Sequence, residues 1–484
     1  MADLAAYWHN HIDGAWVDGG AGRIAVTDPA TGQTLAEQAL ADAADVDRAV
    51  QAARRVHLSG ALRDMRPLER GRMVQAMGRY LLDHVDRIAE ALTLEQGKPL
   101  WESRIEVEGA ALYFEYYGNQ ASTLEGRSIP LGAGYFDWTE LEPLGVSAQI
   151  IPWNFPLEMT ARSLAPALAT GNACVVKPPE MTPLTNAWFA RAAQAAGFPP
   201  GAVNLVCGRG AEAGAALAGH PQVNQIVFTG SVPTGVAIAQ AAAGNVVPCV
   251  LELGGKSAAI VHDDADLATF ENDIRWGIFF NAGQVCSAMS RVIVHESRAA
   301  EMLERAEAIA KSLSVGPGMD RPETGANMGA LVNDTQRNRA ADMVARAEAQ
   351  GAKVVTGGRP LNRPGAFLEP TVLSGVTPDM DIAQDEVFGP VLSVMSFRDE
   401  AEALEIANGT DYGLVGGVFT ADLDRATRAA RAMRAGQVFV NEWYAGGVET
   451  PFGGYGKSGY GREKGREALW NYVQTKNVAV RLTR

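Results

Sequence analysis

Between residues 146 and 253, short apolar runs alternate with helical stretches at a spacing that leaves the chain few folds to adopt. The strand-like runs cover 146–151, 173–177, 202–206, 223–228 and 247–253; helical stretches cover 157–169, 183–196, 211–218 and 234–243. Strands joined by helices rather than tight turns predict parallel neighbours, because a helix carries the chain back to the starting edge. The expected class is α/β, with a doubly wound parallel sheet. A second series follows, with strands near 258–262, 291–295, 353–356, 391–397, 414–419 and 437–440, and predicts a further α/β domain. At 484 residues, more than one core is expected. Residues 45–117 read as helical, with amphipathic runs at 70–94 and 102–117. Residues 118–144 contain Gly and Pro and alternate through Tyr135, Phe136 and Trp138, which suggests a protruding hairpin. The segment 472–482 alternates without a local partner and is expected to complete a sheet in this subunit or a neighbour.

The chemistry lies at the ends of these strands. Cys174, Cys207 and Cys249 sit in apolar runs, as inert core thiols do. Cys286 instead ends FFNAGQVC (279–286), a polar, glycine-containing loop where a thiolate can be exposed and stabilised. Upstream, LELGGKSA (251–258) places Glu252 among apolar residues just before two glycines. A nucleophilic sulfur and a carboxylate base are the two groups needed to make a thioester and hydrolyse it. The apolar flank should raise the Glu252 pKa toward neutrality. In IPWNFPLEMTAR (151–162), the Asn154 carboxamide suits stabilisation of a developing oxyanion, or else satisfies a turn.

A nucleotide site is expected at the carboxyl ends of the first sheet. The Gly208-x-Gly210-x-x-x-Gly214 run misses the dinucleotide spacing by one residue and reads as a close-packed turn near the cofactor. FTGSVPTG (228–235) is a strand-to-helix junction that can offer Gly230 and Ser231 to a pyrophosphate, or simply cap a helix with Ser231. Lys177 and Glu180 in KPPE can meet ribose hydroxyls or form a surface ion pair. Glu386 and Phe388 lie in QDEVFGP (384–390), where a solvated turn is the plain reading.

Taken in order, IPWNFP, KPPE, FTGS, LELGGKS, FFNAGQVC, QDEVFGP and PFGGYGKSGYGRE (451–463) resemble the aldehyde dehydrogenase superfamily over nearly the whole chain. The form resembled is NAD(P)-dependent, hydrolytic and non-acylating, since coenzyme-A-acylating relatives typically lack the glutamate at Glu252. The resemblance implies Cys286 as nucleophile, Glu252 as general base, and Asn154 with the Cys286 backbone N–H as oxyanion donors. It places Lys177 and Glu180 at the adenosine ribose, Gly230 and Ser231 at the pyrophosphate, Glu386 at the nicotinamide ribose and Phe388 near the ring. Ile151, Pro152, Trp153, Asn154, Gly210, Phe228, Thr234 and Leu253 complete the implied cofactor-binding set. The Glu180 carboxylate favours NAD by repelling a 2′-phosphate, while Lys177 beside it leaves NADP open. Implied domains are 1–120 and 144–253 for NAD, 254–442 for catalysis, and an oligomerisation arm from 121–143 and 470–484. Residues 443–469 return to the cofactor side. The resemblance implies a homodimer or homotetramer.

Phe155, Met159, Arg162, Phe280 and Tyr444 fall where relatives line the substrate tunnel. Many relatives carry an aromatic residue at Arg162, whereas succinate-semialdehyde-type members carry arginine. Those members add a second arginine where this chain has Phe280 and a serine where it has Gly446. The alternatives to a plain aldehyde are therefore a carboxylated aldehyde held by Arg162 and, from another class, a non-redox thiol esterase. Ser163 stands where many relatives carry a lysine, which removes that lysine from a proton relay whose other member is Glu463. The partner expected is a small-molecule aldehyde. A net charge of −14 argues against nucleic acid or an anionic membrane. No metal is called for, no apolar run reaches membrane-spanning length, and MADLAAYWHNHIDGAW has no signal-like pattern. A cytoplasmic location is expected.

Overall fold

The computed structural model describes residues 4–320 and 327–482; the expected domain and arm residues 1–3, 321–326 and 483–484 lie outside the described residues. Two large sheets organise the chain. The first has eight strands, with a parallel centre ordered Cys249–Glu252, Gln225–Thr229, Val146–Ile150, Ala173–Lys177, Val203–Leu205. These strands bury almost every side chain, as a sheet covered by helices on both faces requires. Its edges are antiparallel. Gly459–Tyr460 joins Cys249–Glu252 on one side, and Asn10–Ile12 with Ala15–Val17 extends the other. The second sheet has seven strands in the order Lys353–Thr356, Thr371–Ser374, Val391–Phe397, Arg291–His295, Ala258–Val261, Val415–Phe419, Gln437–Val440. All its pairings are parallel except the first.

Helices Ala43–Ser59, Pro67–Asp83, Val85–Gln96 and Leu100–Gln120 fill the helical region read from the sequence. Pro99 stands at the start of the last of these, where its fixed φ and missing N–H carry no penalty. The hairpin expected within 118–144 is mostly replaced by a different pairing. Tyr135–Pro143 runs antiparallel to Val473–Arg481, register Tyr135↔Arg481 to Pro143↔Val473, while residues 127–129 add a bridge and three hydrogen bonds. The terminal segment thus finds its partner in this subunit. Among the described residues no helix is long and apolar enough to cross a membrane.

Candidate active site

Two cavities meet at Cys286 and Met159. One is a cleft with about 690 Å³ of open space at the carboxyl ends of the eight-stranded sheet, and the other a tunnel of about 1190 Å³. Glu252, the last residue of its strand, lines the cleft with Asn154 and Cys286. The three residues singled out for catalysis therefore share one space, although they come from distant parts of the chain.

The loop bearing Cys286 is strained and heavily pinned. Asn281, Ala282 and Gly283 are successive left-handed residues, at φ 49°, 51° and 71°. Such backbone persists only where its surroundings over-determine it. Here they do. The Asn281 N–H donates to Glu102 at 2.9 Å, and its carboxamide donates to the Asn154 carbonyl at 2.9 Å. Gln284 accepts from the Val332 N–H at 2.9 Å. Lys98 is buried and donates both to the Asn154 carbonyl at 2.9 Å and to Glu106 at 2.6 Å. Glu106 in turn accepts from the Leu157 N–H at 2.9 Å, satisfying a free amide at the start of helix Pro156–Ala169. That helix presents Met159 and Arg162. The Asn154 carboxamide donates one hydrogen to the Gln284 carbonyl at 2.9 Å, which fixes the side chain and leaves its second hydrogen available. Gly255 allows the close approach behind the nucleophile, since a Cβ there would lie 2.6 Å from the Cys286 carbonyl oxygen.

Burial dominates the electrostatics. It pushes the Cys286 thiol up to about 12, with Arg162 pulling against it. Cys207 in the core and Cys249, which is only half-buried where the sequence suggested a core thiol, are also raised, to about 12 and about 11, so position rather than acidity distinguishes Cys286. Burial and the nearby Glu463 hold the Glu252 carboxyl well above the carboxylate range, against the pull of Arg162. Neither Glu252 oxygen has a hydrogen-bond partner, and the nearest ion-pair contact is the Arg162 Nη2 at 3.8 Å. Arg162 is itself buried, pairs with Glu463 through its Nε and lies over the Phe452 ring at 4.5 Å. Arg162 is thus an interior cation and not one on the outer face of its helix. Ser163 turns away and donates to Gln149 at 3.1 Å, and Arg162 makes the ion-pair contacts to both Glu252 and Glu463.

Of the residues read as cofactor-binding, Pro152, Trp153, Asn154, Gly230, Ser231, Leu253, Glu386 and Phe388 line the cleft. Ile151, Lys177, Glu180, Gly210, Phe228 and Thr234 do not line that cavity. Lys177 and Glu180 pair at 2.7 Å beyond it, where the Gly210 N–H reaches Glu180 at 3.4 Å. Burial raises the Glu180 pKa, but the Lys177 ammonium together with backbone amides, Gly210 among them, leaves the carboxyl below its ordinary value. The Ile151 N–H donates to the Lys177 carbonyl at 3.1 Å, and the Phe228 ring packs beneath Gly230. Ser231 occupies the N-cap position of Val232–Ala243 without capping it; its hydroxyl instead meets that of Thr234 at 2.9 Å. Glu386 accepts from the Gly255 N–H at 3.0 Å, and burial raises it to about 7.

Phe155, Met159, Arg162, Phe280 and Tyr444 all line the tunnel, with Phe155 and Phe280 stacked at 5.9 Å and 22°. Sequence reasoning missed Glu158 and Lys464 in the tunnel wall, and Gln336 and Arg339 in the cleft. Gln336 donates to the Phe388 carbonyl at 2.8 Å and Arg339 to the Glu386 carbonyl at 3.0 Å, holding the QDEVFGP loop. Their spacing on helix Asp334–Ala349 puts both on one face, but nothing in a polar helix marks which polar face is used.

Comparison with known proteins bears on the chain as a whole. The aldehyde dehydrogenase family model matches residues 16–478. Human retinal dehydrogenase 2 is 42% identical over 479 residues, covering 97% of this chain and 91% of that protein. An aldehyde dehydrogenase from Bacillus cereus, solved as its NAD+ complex, superposes with a TM-score of 0.96 at 37% identity, covering 99% of this chain and 97% of that one. A betaine aldehyde dehydrogenase from Staphylococcus aureus in complex with NAD+ gives 0.95 at 35% identity, covering 98% of each chain.

Proposed function

Since this chain belongs to the aldehyde dehydrogenase family, whose members oxidise aldehydes, we propose that it uses NAD and works through a thioester on Cys286 that Glu252 hydrolyses. The observation that carries this reading is the placement of Cys286 where cleft and tunnel meet, with Glu252 beside it in the cleft.

The cleft fits a nicotinamide dinucleotide. Glu180, held ionised by Lys177, offers a partly exposed acceptor to ribose hydroxyls and opposes a 2′-phosphate. Gly230 and Ser231 present a helix start, and Glu386 keeps one carboxylate oxygen free in the cleft. Once bound, NAD supplies the acceptor for the hydride released from the substrate carbon. The protein supplies the rest. The Cys286 sulfur adds to the carbonyl carbon, its proton passing to Glu252, whose raised affinity suits it to take one. The free hydrogen of the Asn154 carboxamide and the Cys286 N–H meet the oxyanion. After oxidation, Glu252 releases that proton to solvent and then takes one from water, which attacks the thioester, expels the Cys286 thiolate and frees the carboxylic acid.

A carboxylated substrate would have to compete with Glu463 for Arg162, which weighs against the semialdehyde alternative. An esterase without redox chemistry leaves the cleft residues without a purpose. In domain terms, we assign 1–120 and 144–253 to the cofactor, 254–442 to catalysis, and 121–143 with 470–484 to an arm that assembles a homodimer or homotetramer. Four unbridged cysteines fit a reducing compartment such as the cytoplasm. The test is NADH formation from an aldehyde panel. Cys286→Ala should abolish it, and normal turnover by that variant would refute the assignment.

A further inference from the structure

Arg162 takes no part in the addition and hydrolysis proposed above, yet its guanidinium sits among the groups that perform them. Like Cys286 it lines the tunnel, on a side chain only 4% exposed. Two neighbours fix it. Its Nε pairs with Glu463, and its guanidinium lies over the Phe452 ring at 4.5 Å. Glu463 and Phe452 are themselves locked together, each donating its N–H to the other's carbonyl at 2.7 Å. Held this way, the Arg162 Nη2 comes to 3.8 Å from Glu252 Oε2, and neither atom has a hydrogen-bond partner. Opposite charges so close in a buried site offset one another through space. Arg462 adds a weaker pull on Glu252, and Tyr113 and Lys464 also stand near the guanidinium.

The balance at the sulfur depends on the same cation. Burial opposes its ionisation most, Glu252, Glu386 and Glu158 oppose it further, and Arg162 is the strongest pull the other way. Burial also works against the Arg162 charge, but the acids around it, Glu463 foremost, outweigh that and hold it ionised. A guanidinium keeps its proton in a protein, whereas a lysine ammonium can release one. The charge beside Glu252 and Cys286 is therefore permanent.

Resting on the cysteine–glutamate chemistry proposed above, we propose that Arg162 is a positioning residue whose fixed cation serves Glu252 and Cys286 in turn. When Glu252 carries the negative charge, Arg162 offsets it across the 3.8 Å gap. As the S–H proton passes to Glu252, the carboxyl becomes neutral and the charge moves to the sulfur, which takes over the field of the guanidinium. The sulfur then shares that electron pair with the carbonyl carbon, and the charge passes to the carbonyl oxygen. The transfer moves a charge within the site and creates none, which eases ionisation of a buried thiol. Glu463 at Nε and Phe452 at one face hold the cation in place throughout.

The experiment reads the sulfur without turnover. Alkylation of the full-length protein by iodoacetamide is followed across pH, with peptide mass spectrometry scoring Cys286 apart from Cys174, Cys207 and Cys249; its rate reports the thiolate fraction. The variants are Arg162→Met, Arg162→Lys, and Arg162→Met combined with Glu463→Gln. The double variant removes both members of the buried pair and leaves no lone charge behind. In both proteins that carry Arg162→Met, the onset of Cys286 alkylation should move to higher pH by about one to three pH units, a loss of at least about tenfold in rate at fixed pH. Arg162→Lys should keep most of the wild-type profile, because a cation remains. The acidic limb of the kcat–pH profile should also move to higher pH in Arg162→Met, since Glu252 loses the cation that favours its ionised form. An alkylation profile unchanged in both Arg162→Met proteins, or Arg162→Lys behaving like Arg162→Met, would overturn the inference. A wild type that shows the Arg162-dependent alkylation but oxidises no aldehyde would instead overturn the proposed function.

Discussion

At the residue scale, the proposed base Glu252 is held between the anion Glu463 and the cations Arg162 and Arg462. Glu463 raises the Glu252 pKa and Arg162 lowers it, on top of a larger burial effect. Replacing Glu463 by Gln removes the anion and leaves Arg162 unpaired, 3.8 Å from Glu252. An uncompensated cation at that range favours the ionised base, so the acidic limb of the kcat–pH profile should move to lower pH by roughly one to three pH units. An unchanged limb would show that a group other than Glu252 sets it. Cys286 and Glu252 could be singled out from their local context and Asn154 from the resemblance, and the fold brings all three to one cleft. The buried roles of Lys98, Glu102 and Glu106 could not, because a lysine in a Gly-Lys-Pro turn and carboxylates on an amphipathic helix face both read as solvated. Only the folded chain shows that this face is turned inward beneath the loop.

At the scale of elements, the strand–helix rhythm was readable because buried parallel strands are continuous apolar runs. The runs 173–177, 291–295, 353–356, 391–397 and 437–440 match strands residue for residue. Thr371–Ser374 escaped notice, being short and set in a loop-like context, and so did the small amino-terminal strands. Pairing was harder than existence. The aromatic alternation at 135–143 was clear, but a strand carries no record of a partner more than three hundred residues away. Helix Leu100–Gln120 matters most to the site, because through Glu102 and Glu106 it braces both the Cys286 loop and the helix that presents Arg162. Lys98→Met would strand Glu106 without its buried counter-ion, and breaking such a pair costs about 3–5 kcal/mol. Denaturant unfolding should show that loss, with kcat falling as the Asn154 backbone is released. Wild-type stability and kcat together would contradict the bracing role.

At the scale of the whole molecule, the arm formed by Tyr135–Pro143 and Val473–Arg481 leaves Tyr135, Phe136, Val480 and Leu482 exposed. A two-stranded ribbon that exposes such side chains is marginal in water, and contact with another subunit would cover them. Deleting residues 473–484 should therefore lower the mass measured by light scattering to that of smaller assemblies; an unchanged mass would place the interface elsewhere. The two sheets have a further joint consequence. Glu252 ends a strand of the eight-stranded sheet, and Cys286 precedes a strand of the seven-stranded one, so the proposed thioester is made and hydrolysed at their junction. The direct measurement is rapid mixing of the Glu252→Gln protein with aldehyde and NAD, followed by intact-protein mass spectrometry. The account predicts a single burst of NADH, almost no steady-state turnover, and an acyl adduct that maps to Cys286. Steady turnover at the wild-type rate, or an adduct on any other residue, would contradict it.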